Sequence, residues 1–140
     1  MTDEREEVLA VARRAREAAA VLRNVSRADK DTALHAMADA LIQHTEIIVT
    51  ANAKDVQVAK DNGTDAGIID RLTLNTERVA AVAQGLRDVA SLPDPIGEVV
   101  RGYTLPNGLE VRQMRVPMGV LAMIYEARPN VTVDAAGLAL

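Results

Sequence analysis

Between residues 3 and 24 apolar side chains return every three or four positions: Val8, Val11/Ala12, Ala15, Ala18/Ala19 and Leu22, with Val25 beyond. That spacing places them on one face of an α-helix. Asp3, Glu4, Glu6 and Glu7 fall in its opening turns, where the helix dipole favours negative charge, and Arg23 lies near its end. Ser26 followed by Asp29 is a capping signal for a second, longer helix. Its seam runs Leu34, Met37, Leu41, His44, Ile48, Ala51, Val56, Ala59, and the turn cluster Asp61-Asn62-Gly63 ends it. Residues 65–75 read as a short irregular link in which Asp70 and Arg71 can form a local ion pair. Asn75 then caps a third helix with Val79, Val82/Ala83, Leu86 and Val89/Ala90 on its buried face, and Pro93 and Pro95 stop it.

From residue 98 the period changes to two. "EVVRGYTLPNGLEVRQMRV" (98–116) is a pair of strand-like runs around Asn107-Gly108, the strongest short-range hairpin signal. A two-residue loop there would set Pro106 against Leu109 and Tyr103 against Arg112. A lone ribbon is marginal in water and its edges are open, so it needs partners in its own chain or in another subunit; the pattern leaves both open. "PMGVLAMIY" (117–125) is unbroken and apolar, as in a parallel strand covered on both faces. "EARPN" is the loop after it, and "VTVDAAGLAL" (131–140) begins a packed helix. A strand, a loop and a helix are two-thirds of a βαβ unit, whose next strand is required to complete a parallel sheet. No glycine or basic residue stops the helix at Leu138-Ala139-Leu140. The expectation is an α/β fold, of which these residues form the N-terminal part of a longer protein.

Composition narrows the function classes. Of 140 residues 49% are hydrophobic, with no Phe, no Trp and two tyrosines, Tyr103 and Tyr125, so the core must be aliphatic. Sixteen basic against twenty acidic residues give a net charge of −4 and no basic patch, which argues against nucleic acid as a partner. The absence of cysteine excludes disulfides, thiolate metal sites and a thiolate nucleophile within these residues. Two histidines, His35 and His44, are too few for most metal sites, and His44 reads as a neutral histidine on a helix flank. The acidic start "MTDEREEVL" is not a targeting peptide, and the apolar run from Met118 to Tyr125 is far short of the roughly 18 residues of a membrane span. A soluble, cytoplasmic protein is expected.

The candidate chemistry is in "YEARPN". In open α/β sheets ligands bind beyond the carboxyl ends of the strands, the place this loop would occupy. Asn130 has two readings: an N-cap whose oxygen accepts from Thr132 or Val133, or an amide whose NH2 donates to a reacting oxygen. Arg128 can hold a phosphate or carboxylate with its planar fork, or be a surface charge near Glu126. No glycine-rich phosphate loop is present.

"VPMGVLAMIYEARPNVTVDAAGLAL" closely resembles the signature region of the gamma-glutamyl phosphate reductase (glutamate-5-semialdehyde dehydrogenase) family of the aldehyde dehydrogenase superfamily. "TANAKDV" (50–56), "IIDRLTLN" (68–75) and "LPDPIGEV" (92–99) resemble the same family in the same order. The resemblance covers essentially the whole chain and implies that it is the N-terminal third of such an enzyme. The implied fold is aldehyde dehydrogenase-like: an N-terminal helical part (1–97) with three helices, a β-hairpin oligomerisation arm (98–116), and the first strand, loop and helix start of a Rossmann-like cofactor domain (117–140). The implied activity is NADPH-dependent reduction of L-glutamyl 5-phosphate to L-glutamate 5-semialdehyde in proline biosynthesis, by a homo-oligomer with a cysteine nucleophile that lies beyond residue 140. The resemblance makes Asn130 the oxyanion donor, Tyr125, Glu126 and Ala127 cofactor contacts, and Arg128 a substrate contact. The superfamily's usual proline–aromatic–asparagine motif is here Arg128-Pro129-Asn130. These residues alone are expected to be inactive. Two alternatives are a non-catalytic helical module that dimerises through its hairpin, and a relative that reduces acyl-CoA.

Overall fold

A computed structural model describes residues 2–140, with side chains from Glu4 onward. Six helices and one hairpin follow one another: α1 Thr2–Leu22, α2 Arg27–Gln43, α3 Thr45–Asp61, α4 Ala66–Leu72, α5 Thr76–Ser91, β1 Val99–Thr104, β2 Glu110–Met114 and α6 Pro129–Ala139. The three helices expected before the hairpin are thus five. The long seam of residues 29–61 breaks at His44 (φ −104°, ψ 16°), where the Thr45 hydroxyl bonds back to the carbonyls of Leu41 and Ile42. Such local side-chain bonds compete with the helical ladder, and the apolar period resumes beyond the break. The link at 65–75 contains α4, started by Asp65, whose carboxylate accepts from the Gly67 amide at 2.8 Å.

The chain divides into two compact units. One comprises residues 26–92 and 122–140. Ser26 opens it as expected: its hydroxyl accepts from the Asp29 amide and donates to the Asp29 carboxylate, a reciprocal cap. Leu34 and Ala38 of α2 meet Ala83, Leu86 and Ala90 of α5 in an aliphatic core, flanked by Met37, Leu41, Val89, Val133 and Leu140. α6 lies against α5 at Gly137, where a Cβ would overlap Leu86 Cδ2. Asn75 caps α5 as expected, accepting from the Arg78 amide at 2.7 Å. Asp70 pairs with Arg78 at 2.7 Å rather than with Arg71. The Arg78 guanidinium also takes the carbonyls of Asp70 and Thr73, so the pair is held by its surroundings. On α3 the expected seam residue Ala51 is exposed and its neighbour Asn52 is buried. Asn52 donates to the Leu72 carbonyl at 2.8 Å and accepts from the Leu74 amide at 2.6 Å, stapling α3 to the end of α4.

The other unit comprises residues 2–25 and 93–121. Its helix α1 leaves Val8 and Val11 of the expected seam exposed. β1 and β2 pair antiparallel, with Tyr103 opposite Val111 and Gly102 opposite Arg112. The register therefore differs by one from that of a two-residue loop. Leu105 donates to the Leu109 carbonyl, and Gly108 to that of Leu105, so Pro106-Asn107-Gly108 form a three-residue loop. The reason is proline: its fixed φ suits the first central position of a type I turn, and positive φ is then needed only at Gly108 (+87°).

The expected strand at 117–125 does not form. Backbone in a strand needs a ladder on at least one side, and among the described residues the only sheet is the β1–β2 pair. Met118 is 91% and Ile124 101% exposed, and Val116, Val120, Leu121, Met123 and Tyr125 are exposed as well.

Candidate functional site

The residues singled out in the sequence fall on one short loop and the helix that follows it. Ala127 takes φ 53°, the one left-handed non-glycine residue among those described. This region costs an L-residue roughly 1–2 kcal/mol, so other contacts must hold the bend. One of them is the 2.6 Å hydrogen bond between the Tyr125 hydroxyl and the Thr132 hydroxyl, which ties the start of the loop to the first turn of α6. Pro129 is the other constraint. It occupies the first helical position, where its ring supplies a helical φ and its missing N–H is not needed.

That placement removes one of the two local readings of Asn130. The N-cap of α6 is Arg128 (φ −137°, ψ 81°), without a side-chain cap bond, so Asn130 is not the cap. It stands one residue inside the helix, half-buried, and its Nδ2 donates to Asp134 Oδ2 at 2.9 Å. A proline at the first helical position was the sequence signal for this start. Glu126 and Arg128 are both exposed, and Tyr125 is 44% exposed. The sequence reading missed the Thr132 hydroxyl and the second residue, Asp134. The second could have been found, because residues four apart on a helix are neighbours.

On the same unit an open apolar groove of about 330 Å³ is lined by Met37, Ala40, Leu41, His44, Ile48 and Val133. Among the described residues no group of His, Asp or Glu is arranged to hold a metal ion, and no helix is long and apolar enough to cross a membrane.

No protein-family model matches the chain. Curated relatives do. A protein of Thermobifida fusca named gamma-glutamyl phosphate reductase is 60% identical over 140 residues, which is 100% of this chain and 34% of the relative. One of the same name from Kineococcus radiotolerans is 63% identical over 135 residues, 96% of this chain and 31% of the relative. Along its whole length the chain resembles gamma-glutamyl phosphate reductases. It spans about a third of the length of the curated relatives it matches. The fold agrees. The crystal structure of the Thermotoga maritima gamma-glutamyl phosphate reductase matches with a TM-score of 0.91 at 38% identity, over 95% of this chain and 32% of that one. The Saccharomyces cerevisiae reductase matches at 0.87 and 35% identity, over 91% of this chain and 33% of its own.

Proposed function

We propose that the chain is part of a cytoplasmic enzyme of proline biosynthesis that reduces L-glutamyl 5-phosphate to L-glutamate 5-semialdehyde with NADPH. The supporting observation is 60% identity to a gamma-glutamyl phosphate reductase across every residue of the chain. The reaction balances as acyl phosphate plus NADPH plus a proton, giving aldehyde, NADP+ and phosphate. A cysteine thiolate attacks the acyl carbon, and phosphate leaves as the thioester forms. Since none of these 140 residues is cysteine, the sulfur comes from other polypeptide. NADPH supplies the hydride.

This chain's own residues hold and orient. As the thiolate adds, the acyl oxygen becomes an oxyanion, and the Asn130 amide donates to it. Removing such a donor costs about 10²–10³ in turnover. Arg128, exposed at the N-cap of α6, receives the phosphate of the substrate with its guanidinium fork. Tyr125, Glu126 and Ala127 are the residues that would contact the dinucleotide, which would supply the hydride. Tyr125 and Glu126 are exposed there, and Ala127 at the bend is half-exposed. The hairpin, with nearly every residue exposed, adds its edge to a second subunit in a homo-oligomer.

The test is a chimera in which this chain replaces the matching third of the Thermobifida fusca relative. It is run in the reverse direction, on glutamate 5-semialdehyde and NADP+. Reduction of NADP+ that requires phosphate is expected. A folded chimera without it overturns the proposal, and a requirement for coenzyme A in place of phosphate assigns the chain to an acyl-CoA-reducing relative.

A further inference from the structure

We infer that Asp134 is a positioning residue that fixes which way the Asn130 amide faces. The inference rests on the oxyanion role proposed for Asn130. A carboxamide is nearly symmetric in shape but not in chemistry, for one end accepts and the other donates two hydrogens. Only the orientation with NH2 outward serves an oxyanion, and nothing in asparagine itself selects it. Asp134 stands one helical turn beyond Asn130, and the 2.9 Å contact joins Nδ2 to a carboxylate oxygen. An ionised carboxylate only accepts, so it selects the NH2 end and rejects the flipped amide. It takes one N–H and leaves the second to donate elsewhere. Both residues belong to α6, whose start is set by Pro129, and Tyr125 is fastened to Thr132 in the same turn.

Charge argues that this role is directional. A carboxylate near a developing oxyanion repels it, and only the solvent around the exposed Asp134 weakens the repulsion. Asp134 therefore aids the reaction through the geometry it imposes on Asn130. Supporting hydrogen bonds of this kind hold a reacting group in its productive rotamer.

In the chimera, Asp134→Ala is expected to lower kcat about tenfold, a fraction of the loss on deleting an oxyanion donor, with KM changed less than about twofold. Asp134→Glu, which keeps an acceptor, restores most of the loss. In the Asn130→Ala background the same Asp134→Ala change leaves kcat as it was. An unchanged kcat in the single variant, or an equal loss with and without Asn130, overturns the inference. Full turnover in Asn130→Ala removes the oxyanion role and the inference with it. An inactive but folded parent chimera counts against the reductase reading alone, and NMR of the 140-residue chain then decides the positioning. One Nδ2 proton of Asn130 should be shifted downfield and lose that shift in Asp134→Ala, and identical side-chain amide signals in both proteins overturn it.

Discussion

The α2–α5–α6 core and the stretch from β1 to Tyr125 are opposite solutions to the same composition. In the first, apolar residues repeat at helical spacing and find each other within the chain: Leu34, Ala38, Ala83, Leu86 and Ala90 are buried. The caps that start its helices, Ser26 and Asn75, are made by residues three positions away. In the second, apolar residues make up a similar share of the chain but stand in water. All six residues of β1 are exposed, as are most large apolar side chains from Val116 to Tyr125. Helices satisfy their backbone locally, whereas strands do so only with partners.

Substitutions in the two regions should therefore behave differently. The largest effect is expected for Leu86→Ala, which empties the centre of the helical core and should cost about 2–5 kcal/mol in urea unfolding. Asn52→Ala should follow, at about 1–3 kcal/mol, because it leaves the Leu72 carbonyl and the Leu74 amide without their partner. Gly108→Ala should cost roughly 1–2 kcal/mol, felt only by the hairpin, since φ +87° is poorly tolerated by a residue with a Cβ. The Tyr103–Val111 cross-strand NOEs should fade while the helical unit melts unchanged. Ile124→Ser, at a fully exposed position, should alter the stability of the chain by less than about 0.5 kcal/mol. In the chimera the same change should lower the yield of folded enzyme. Equal sensitivity of Ile124 in both settings would erase the contrast between the regions.

Legibility in the sequence follows the same division. α1, α5 and the hairpin announce themselves through period and punctuation within a dozen residues. The α2–α3 break is invisible to periodicity, because the apolar seam passes through His44 while the backbone there turns. α4 has seven residues, too few to show two turns of pattern. The hairpin register turned on whether Pro106 belonged to the strand or the loop. At the candidate site, the bend after Tyr125 was legible, but Pro129 and Asn130, read as loop, open α6, and Pro129 held the clue to that start which Asn130 obscured by being a good cap. Asp134 passed unnoticed because an acid in a helical run looks like solvent-facing surface. The run at 117–125 read as a covered strand, but its apolar side chains are exposed and its backbone has no ladder among the described residues.

The proposal that this chain is part of a larger reductase is tested most directly at the segment from Met118 to Tyr125, whose apolar side chains are exposed here. Amide hydrogen exchange across it is the direct measurement. In the 140-residue chain these amides should exchange at nearly the rate of unfolded peptide, and in the Thermobifida fusca chimera they should be protected by orders of magnitude. Protection in the chain by itself, or free exchange in a chimera that turns over substrate, would contradict it.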